Sequence, residues 1–252
     1  MMASKRVLLA GESWVSATSH FKGFDFMITT NYDTGLSHLR KALESADIVL
    51  THIPNHLADR EFPDSLEALS AYDVVILSDI GSNTLLLHPD TWLHSKATPN
   101  RLKLLKEWVT RGGGLAMCGG YYSFAGLYGA AKYYRTPVED VLPVNILTFD
   151  DRIEIPEGAV PEVVEPMHPI LEDMPRDWPI LLGLNELVVK PDAQLLVRAD
   201  GHPLLAVRNV ERGHTLAWAS DIGPHWCPAE FATWDGYTRL WVQAIEWLAS
   251  KR

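Results

Sequence analysis

The sequence predicts an α/β fold: a doubly wound, mainly parallel central sheet with helices on both faces and a β-rich elaboration in the second half. Three observations carry this. Short apolar runs recur through the first half, apolar at consecutive rather than alternate positions, which is how a strand buried on both faces reads. Helix-length segments separate them, and β-α-β-α alternation implies parallel strands with covered faces. From about 137 to 215 the pattern changes to frequent prolines and short β-like runs.

Arg6 to Gly11 is the first buried strand, with Glu12-Ser13-Trp14 at its carboxyl end. Gly35 to Ala46 reads as an amphipathic helix, with Leu36, Leu39 and Leu43 on one stripe. Asp47 to Ile53 is a second strand. Pro54 to Pro63 reads as a polar loop carrying His56. Asp64 to Ala71 reads as a short helix with Asp64 as its cap. Asp73 to Ser78 is a third strand, followed by the polar turn Asp79-Ile80-Gly81-Ser82-Asn83. Residues 84–98 read as an insertion loop. Asn100 to Arg111 is a helix that Gly112 ends, and Leu115 to Cys118 is a fourth strand. Arg152 to Ile155, Glu186 to Val189, Leu195 to Arg198 and Pro203 to Val207 read as antiparallel additions. Arg212-Gly213 is a hairpin turn, His214 to Ser220 the returning strand and Tyr237 to Ala249 a closing helix. Repeats and linkers are absent, so residues 1–252 read as a single domain.

The 252 residues are 47% hydrophobic and 21% charged, an ordinary balance for a chain with a substantial core. The net charge is −10, and no Lys/Arg cluster interleaves with aromatics, so nucleic acid is not an expected partner. No apolar run approaches the ~20 residues that span a bilayer, and no membrane association is expected. Met1 to Arg6 lacks a signal core. Two cysteines, Cys118 and Cys227, make no secreted disulfide framework, so a cytoplasmic location is expected. Among nine tryptophans, Trp92, Trp178 and Trp234 fall in loop-like segments and suggest a homo-oligomer.

The chemistry-bearing stretch is Gly112 to Phe124. An apolar run ends in Cys118, then Gly119-Gly120, then Tyr121-Tyr122-Ser123-Phe124, which could open a helix. A nucleophile at a strand-to-helix turn stands at the carboxyl edge of the sheet, where ligands of such sheets bind. Backbone N–H groups at Gly119 and Gly120 would then stabilise an oxyanion, or Cys118 is simply a small buried hydrophobe. His225 would take the thiol proton, oriented by Glu230 or Asp221. Glu12 would be a proton acceptor or a binder of a substrate amine, or else a rim charge. Asp79 and Tyr121 would line the pocket. His52, His56, His88 and His94 show no metal-ligand spacing, so no metal or other cofactor is expected. Cys118 and Cys227 would form a redox pair only if close.

On Val7 to Trp14, Gly112 to Phe124, and Ser220-Asp221-Ile222-Gly223-Pro224-His225-Trp226 with Pro228, Glu230 and Phe231, the chain resembles the class I glutamine amidotransferase-like superfamily. More closely it resembles the family described as putative glutamine amidotransferases. The resemblance implies a flavodoxin-like sheet and cysteine-nucleophile hydrolysis of an amide or related acyl bond in a small-molecule substrate. For a true amidotransferase it implies a separate synthetase partner. In the related intracellular-protease branch, an early glutamate contacts the elbow cysteine, the position of Glu12. The superfamily's Gly-x-Cys-x-Gly-x-Gln elbow is matched by Cys118-Gly119-Gly120. Ala116 stands at its first Gly, Tyr122 at its Gln, and Cys227 at the Glu of its His-x-Glu pair. A non-catalytic, ligand-binding or oligomeric member with an incomplete triad is the alternative.

Overall fold

The first apolar run forms β1 (Arg6–Gly11), buried beyond Arg6. The structure, a computed structural model, describes residues 4–250, so the leaderless reading of the N-terminus falls in part on residues 1–3, outside those described. β1 runs into a hairpin of ten-residue strands, β2 (Ser13–Lys22) and β3 (Asp25–Thr34), which the apolar pattern does not announce. Then come α1 (Ser37–Glu44), β4 (Val49–Ile53), α2 (Asn55–Glu61), α3 (Leu66–Leu69) and β5 (Val74–Ser78). α4 (Ser82–Leu86), α5 (Pro89–His94), α6 (Arg101–Thr110) and β6 (Gly114–Cys118) complete the wound half.

Several expected loops are helical. Pro54 precedes a helix rather than ruling one out, because proline is tolerated just ahead of the first turn. Residues 84–98 hold parts of α4 and α5, the latter started by Pro89. The cap of α3 is Ser65, whose side chain accepts from Ala68 N at 3.2 Å, and not Asp64. The segment Tyr121 to Phe124 opens no helix. Gly120, Phe124 and Gly126 have φ of 131°, 51° and 72°, outside the right-handed helical region.

The second half contributes α7 (Pro137–Val141), β7 (Val144–Ile146), β8 (Arg152–Ala159), β9 (Pro161–Val163), β10 (Leu181–Asn185), β11 (Leu187–Val189), β12 (Gln194–Ala199), β13 (His202–Val210) and β14 (Gly213–Trp218). α8 (Ala229–Ala232) and α9 (Asp235–Leu248) close it. The main sheet has eight strands in the order β4-β1-β5-β6-β14-β13-β12-β9. The first five are parallel and the last three join antiparallel, as the β-rich reading expects. β5, β6 and β14 are buried along their whole length, which requires cover on both faces. α1 packs with α9, and α6 packs with α3, α4 and α7.

Counted in chain order, the parallel strands run 2-1-3-4-5. The order reverses between β1 and β5, and such a reversal opens a crevice at the strands' carboxyl ends. The residues that follow β1, β5, β6 and β14 therefore converge on one edge.

Candidate functional site

The turn after β1 is shaped by close backbone approach. A Cβ on Gly11, at φ 112°, would stand 1.8 Å from Ser78 O, so only glycine fits. The next residue, Glu12, takes a left-handed φ of 48° and donates its N–H to Ser78 O at 3.0 Å. This turns its side chain inward. The carboxylate is buried, and Oε1 accepts from Ser78 Oγ at 2.6 Å. Oε2 lies over Gly35, where a Cβ would be 2.3 Å away. Burial pushes the Glu12 carboxyl up to about 8, against the Ser78 bond, and the charges of Asp79 and Asp221 add to the rise.

Asp79, after β5, also has a left-handed φ, 46°. Its Oδ1 accepts from Tyr122 N at 2.7 Å. Burial pushes it up to about 6 despite that bond. Asp221, after β14, accepts from His225 Nδ1 at 3.0 Å and Trp226 N at 2.8 Å through Oδ2. The Asp221 hydrogen bond raises the proton affinity of His225. With Nδ1 held there, Nε2 is the imidazole atom left for a ligand. Tyr121 stands edge-on to the ring at 4.7 Å, and its hydroxyl donates to Glu154 Oε1 at 3.0 Å. Glu154 also accepts from Trp226 Nε1 at 2.8 Å. Gly120 separates the two aspartates: a Cβ there would be 2.9 Å from both Asp79 Oδ1 and Asp221 Oδ1. The oxygens thus stand no further apart than twice that distance.

Glu12, Asp79, Asp221, His225 and Tyr121 line a cavity of about 660 Å³ with Trp14, Tyr122 and Asn55. No lysine or arginine lines it, and neither does Cys118. Cys118 ends β6, as expected, but is fully buried. Burial raises its pKa well above the ordinary thiol value, and the charge of Glu12 raises it further. No helix N-terminus follows to offset this. The two N–H groups expected to form an oxyanion hole have partners already. Gly119 N donates to Trp218 O at 2.8 Å, and Gly120 N donates to Asn185 Oδ1 at 3.0 Å.

The carboxylate on His225 is Asp221; Glu230 sits exposed on α8. Both cysteines are free buried thiols. Among the described residues, no group of three His, Cys, Asp or Glu side chains could hold a metal ion. Trp178 and Trp234 pack on each other at 5.0 Å, within an aromatic cluster that includes Phe231. Trp92, on α5, is exposed. Sequence reasoning missed Asn185 and Asp151. Asn185 Nδ2 donates to Asp151 Oδ1 at 2.8 Å, and Asp151 accepts from Ala125 N and Gly126 N at 2.9 and 2.8 Å. They hold the turn after Cys118 from outside the edge, in segments with no motif spacing.

Comparison with known proteins places the chain in a family. The family described as "Putative glutamine amidotransferase" matches residues 6–250. The chain belongs to this family. "Cytoplasmic Protein STM3548" from Salmonella typhimurium is 39% identical, with a TM-score of 0.93, covering 98% of this chain and 99% of that one. "Cytoplasmic Protein STM1381" from Salmonella typhimurium LT2 is 37% identical, with a TM-score of 0.92, covering 98% and 100%. A ThuA-like protein from Bacteroides uniformis shares the fold at 14% identity, with a TM-score of 0.55 over 98% and 93% of the two chains. No curated protein matches the chain. Among the described residues no helix is long and apolar enough to cross a membrane.

Proposed function

We propose that this family member binds a small molecule in the edge cavity through Glu12, Asp79, Asp221 and His225, and that Cys118 is a packing residue rather than a nucleophile. The observation that carries this reading is the state of the elbow. A thiol that attacks a carbonyl must become a thiolate and needs donors for the oxyanion. Cys118 is fully buried with a raised pKa, and the N–H groups of Gly119 and Gly120 are spent on Trp218 and Asn185.

The remaining groups favour a ligand with a cationic or N–H- and O–H-rich face. The charges of Asp79 and Asp221 raise the proton affinity of Glu12, and that of Asp221 raises Asp79; no lysine or arginine lines the cavity, and His225 is the group that offsets the rise at Asp79. At neutral pH Glu12 holds a proton and can donate, while the Asp221–His225 pair, its imidazole raised in proton affinity, presents Nε2 to the ligand. Groups pushed apart in this way can also divide acid and base roles. Trp14 and Tyr122 supply flat walls. The parallel strand order of flavodoxin-type sheets supports the crevice as the binding place. The names of the two Salmonella proteins support a cytoplasmic location.

Cysteine-dependent amide hydrolysis, with a synthetase partner, is the competing reading that family membership favours. Ammonia release from glutamine separates the two. The wild type and Cys118→Ala are each incubated with glutamine, with and without cell extract. The proposal expects no release that depends on Cys118. Release above the blank that Cys118→Ala abolishes would overturn it.

A further inference from the structure

The β2–β3 hairpin is a projecting arm. Its strands pair without interruption from Ser13↔Thr34 at the base to Lys22↔Asp25 at the tip, about 30 Å away at ~3.4 Å per residue. Gly23, with φ 65°, turns the tip, and Phe24 beside it is fully exposed. The arm belongs to no larger sheet, and its main packing on the body is against α2 near the base. Two-stranded ribbons of this kind are marginal in water unless something covers one face.

The pairing sorts the side chains. Directly paired residues share a face, and successive residues alternate. Val15 pairs with Tyr32, Ser19 with Ile28 and Phe21 with Phe26, so these five apolar side chains share one face, while Trp14 and Met27 fall on the other. The Phe21 and Phe26 rings touch at 4.9 Å. That face carries no charged residue. The opposite face holds Ser16, Asn31, Thr18 and Thr29, with His20 and Met27 beyond them, Lys22 and Asp25 at the tip, and Trp14 and Asp33 at the base. Apart from the Tyr32 ring at its base, which meets that of His56 of α2 at 5.2 Å, the apolar face is open to solvent: Val15 is 63% exposed, Phe21 76% and Ile28 58%.

We propose that the apolar face of this arm is a dimerisation surface that packs on the same face of a second copy. An aromatic side chain buries ~150–250 Å², and about half to three-quarters of Phe21, Phe26 and Tyr32 is still exposed, so with Val15 and Ile28 the face offers less than the ~800 Å² per partner of a standard interface, the range of a weak, concentration-dependent dimer. Each chain carries a net charge of −10, so two copies repel over most of their surfaces. They can meet without like-charge contact on a face that has no charge. A basic partner or nucleic acid would find no acid there to pair with.

The layout is also self-complementary. Small residues, Ala17 and Thr30, pair at mid-arm, between the Phe pair at the tip and Val15–Tyr32 at the base. A two-fold axis through the middle lays the arms antiparallel, with each Phe pair over the partner's Val15 and Tyr32, an isologous contact.

Sedimentation equilibrium over a concentration series tests this. The probe is the Phe21→Asp/Ile28→Asp variant, with Ser16→Asp/Thr29→Asp on the polar face as control. All four positions are exposed, and near-UV circular dichroism of the buried tryptophans verifies folding. The proposal expects the wild type and the control to sediment at twice the mass of the apolar-face variant. A wild type at the mass of one chain, which would leave the arm for another partner, overturns it. So does a folded apolar-face variant that keeps the wild-type mass.

Discussion

Glu12 sits where two costs meet, a left-handed backbone and a buried carboxyl, and both follow from its place between Gly11 and the Ser13 strand. Its pH behaviour is therefore measurable as stability. The carboxyl stands at about 8 in the folded protein against an ordinary 4.5, so the native state keeps a proton that the unfolded chain releases. Where the folded form binds more protons, stability falls as pH rises. The loss begins near 4.5 and is complete above about 8. Glu12→Gln keeps an acceptor for Ser78 Oγ and removes the titration. The variant should gain stability relative to wild type as pH climbs through that window, seen in paired thermal melts. Parallel curves would show that Glu12 titrates normally. Gly120 is the other sensitive residue. Alanine there meets both aspartate oxygens at 2.9 Å and must adopt φ 131°. Gly120→Ala should cost about 1–3 kcal/mol from backbone strain alone, read by urea unfolding.

At the scale of elements, the wound strands were legible because burial on both faces leaves unbroken apolar runs. β1, β4 and β5 lie within their expected spans, and β6 begins one residue earlier than expected, at Gly114. The arm was not legible. Its apolar residues alternate with Ser, Thr and Asn that also read as loop, and Met27 and Trp14 fall on the other face, so no unbroken apolar run marks it. The turn after β6 failed for another reason. Its approach strand and glycines predict an elbow, yet Asp151 and Asn185, far along the chain, bind its backbone and exclude a helix. Asn185→Ala should leave the Gly120 N–H unpaired and cost about 1–3 kcal/mol in urea unfolding. Asn185→Asp, which sets a carboxylate against Asp151, should cost at least as much. A neutral result for both would mean that Asn185 does not hold the turn.

For the whole molecule, the candidate site was legible as a place before it was legible as chemistry. Strand order alone brings the residues after β1, β5, β6 and β14 to one edge, which is why Glu12, Asp79, Cys118, Asp221 and His225 could be singled out from sequence. Burial and hydrogen-bond partners belong to three-dimensional packing. They separate Asp221 from Glu230 and leave Cys118 outside the cavity. The central claim is that the family fold here serves a carboxylate and histidine pocket while its elbow thiol is inert. Alkylation of the native protein with iodoacetamide at neutral pH, read peptide by peptide by mass spectrometry, tests it most directly. The account predicts that Cys118 and Cys227 both stay unmodified until the chain unfolds, then react together. Prompt modification of Cys118 in the folded protein, with Cys227 spared, would contradict it and return the thiol to the centre of the chemistry.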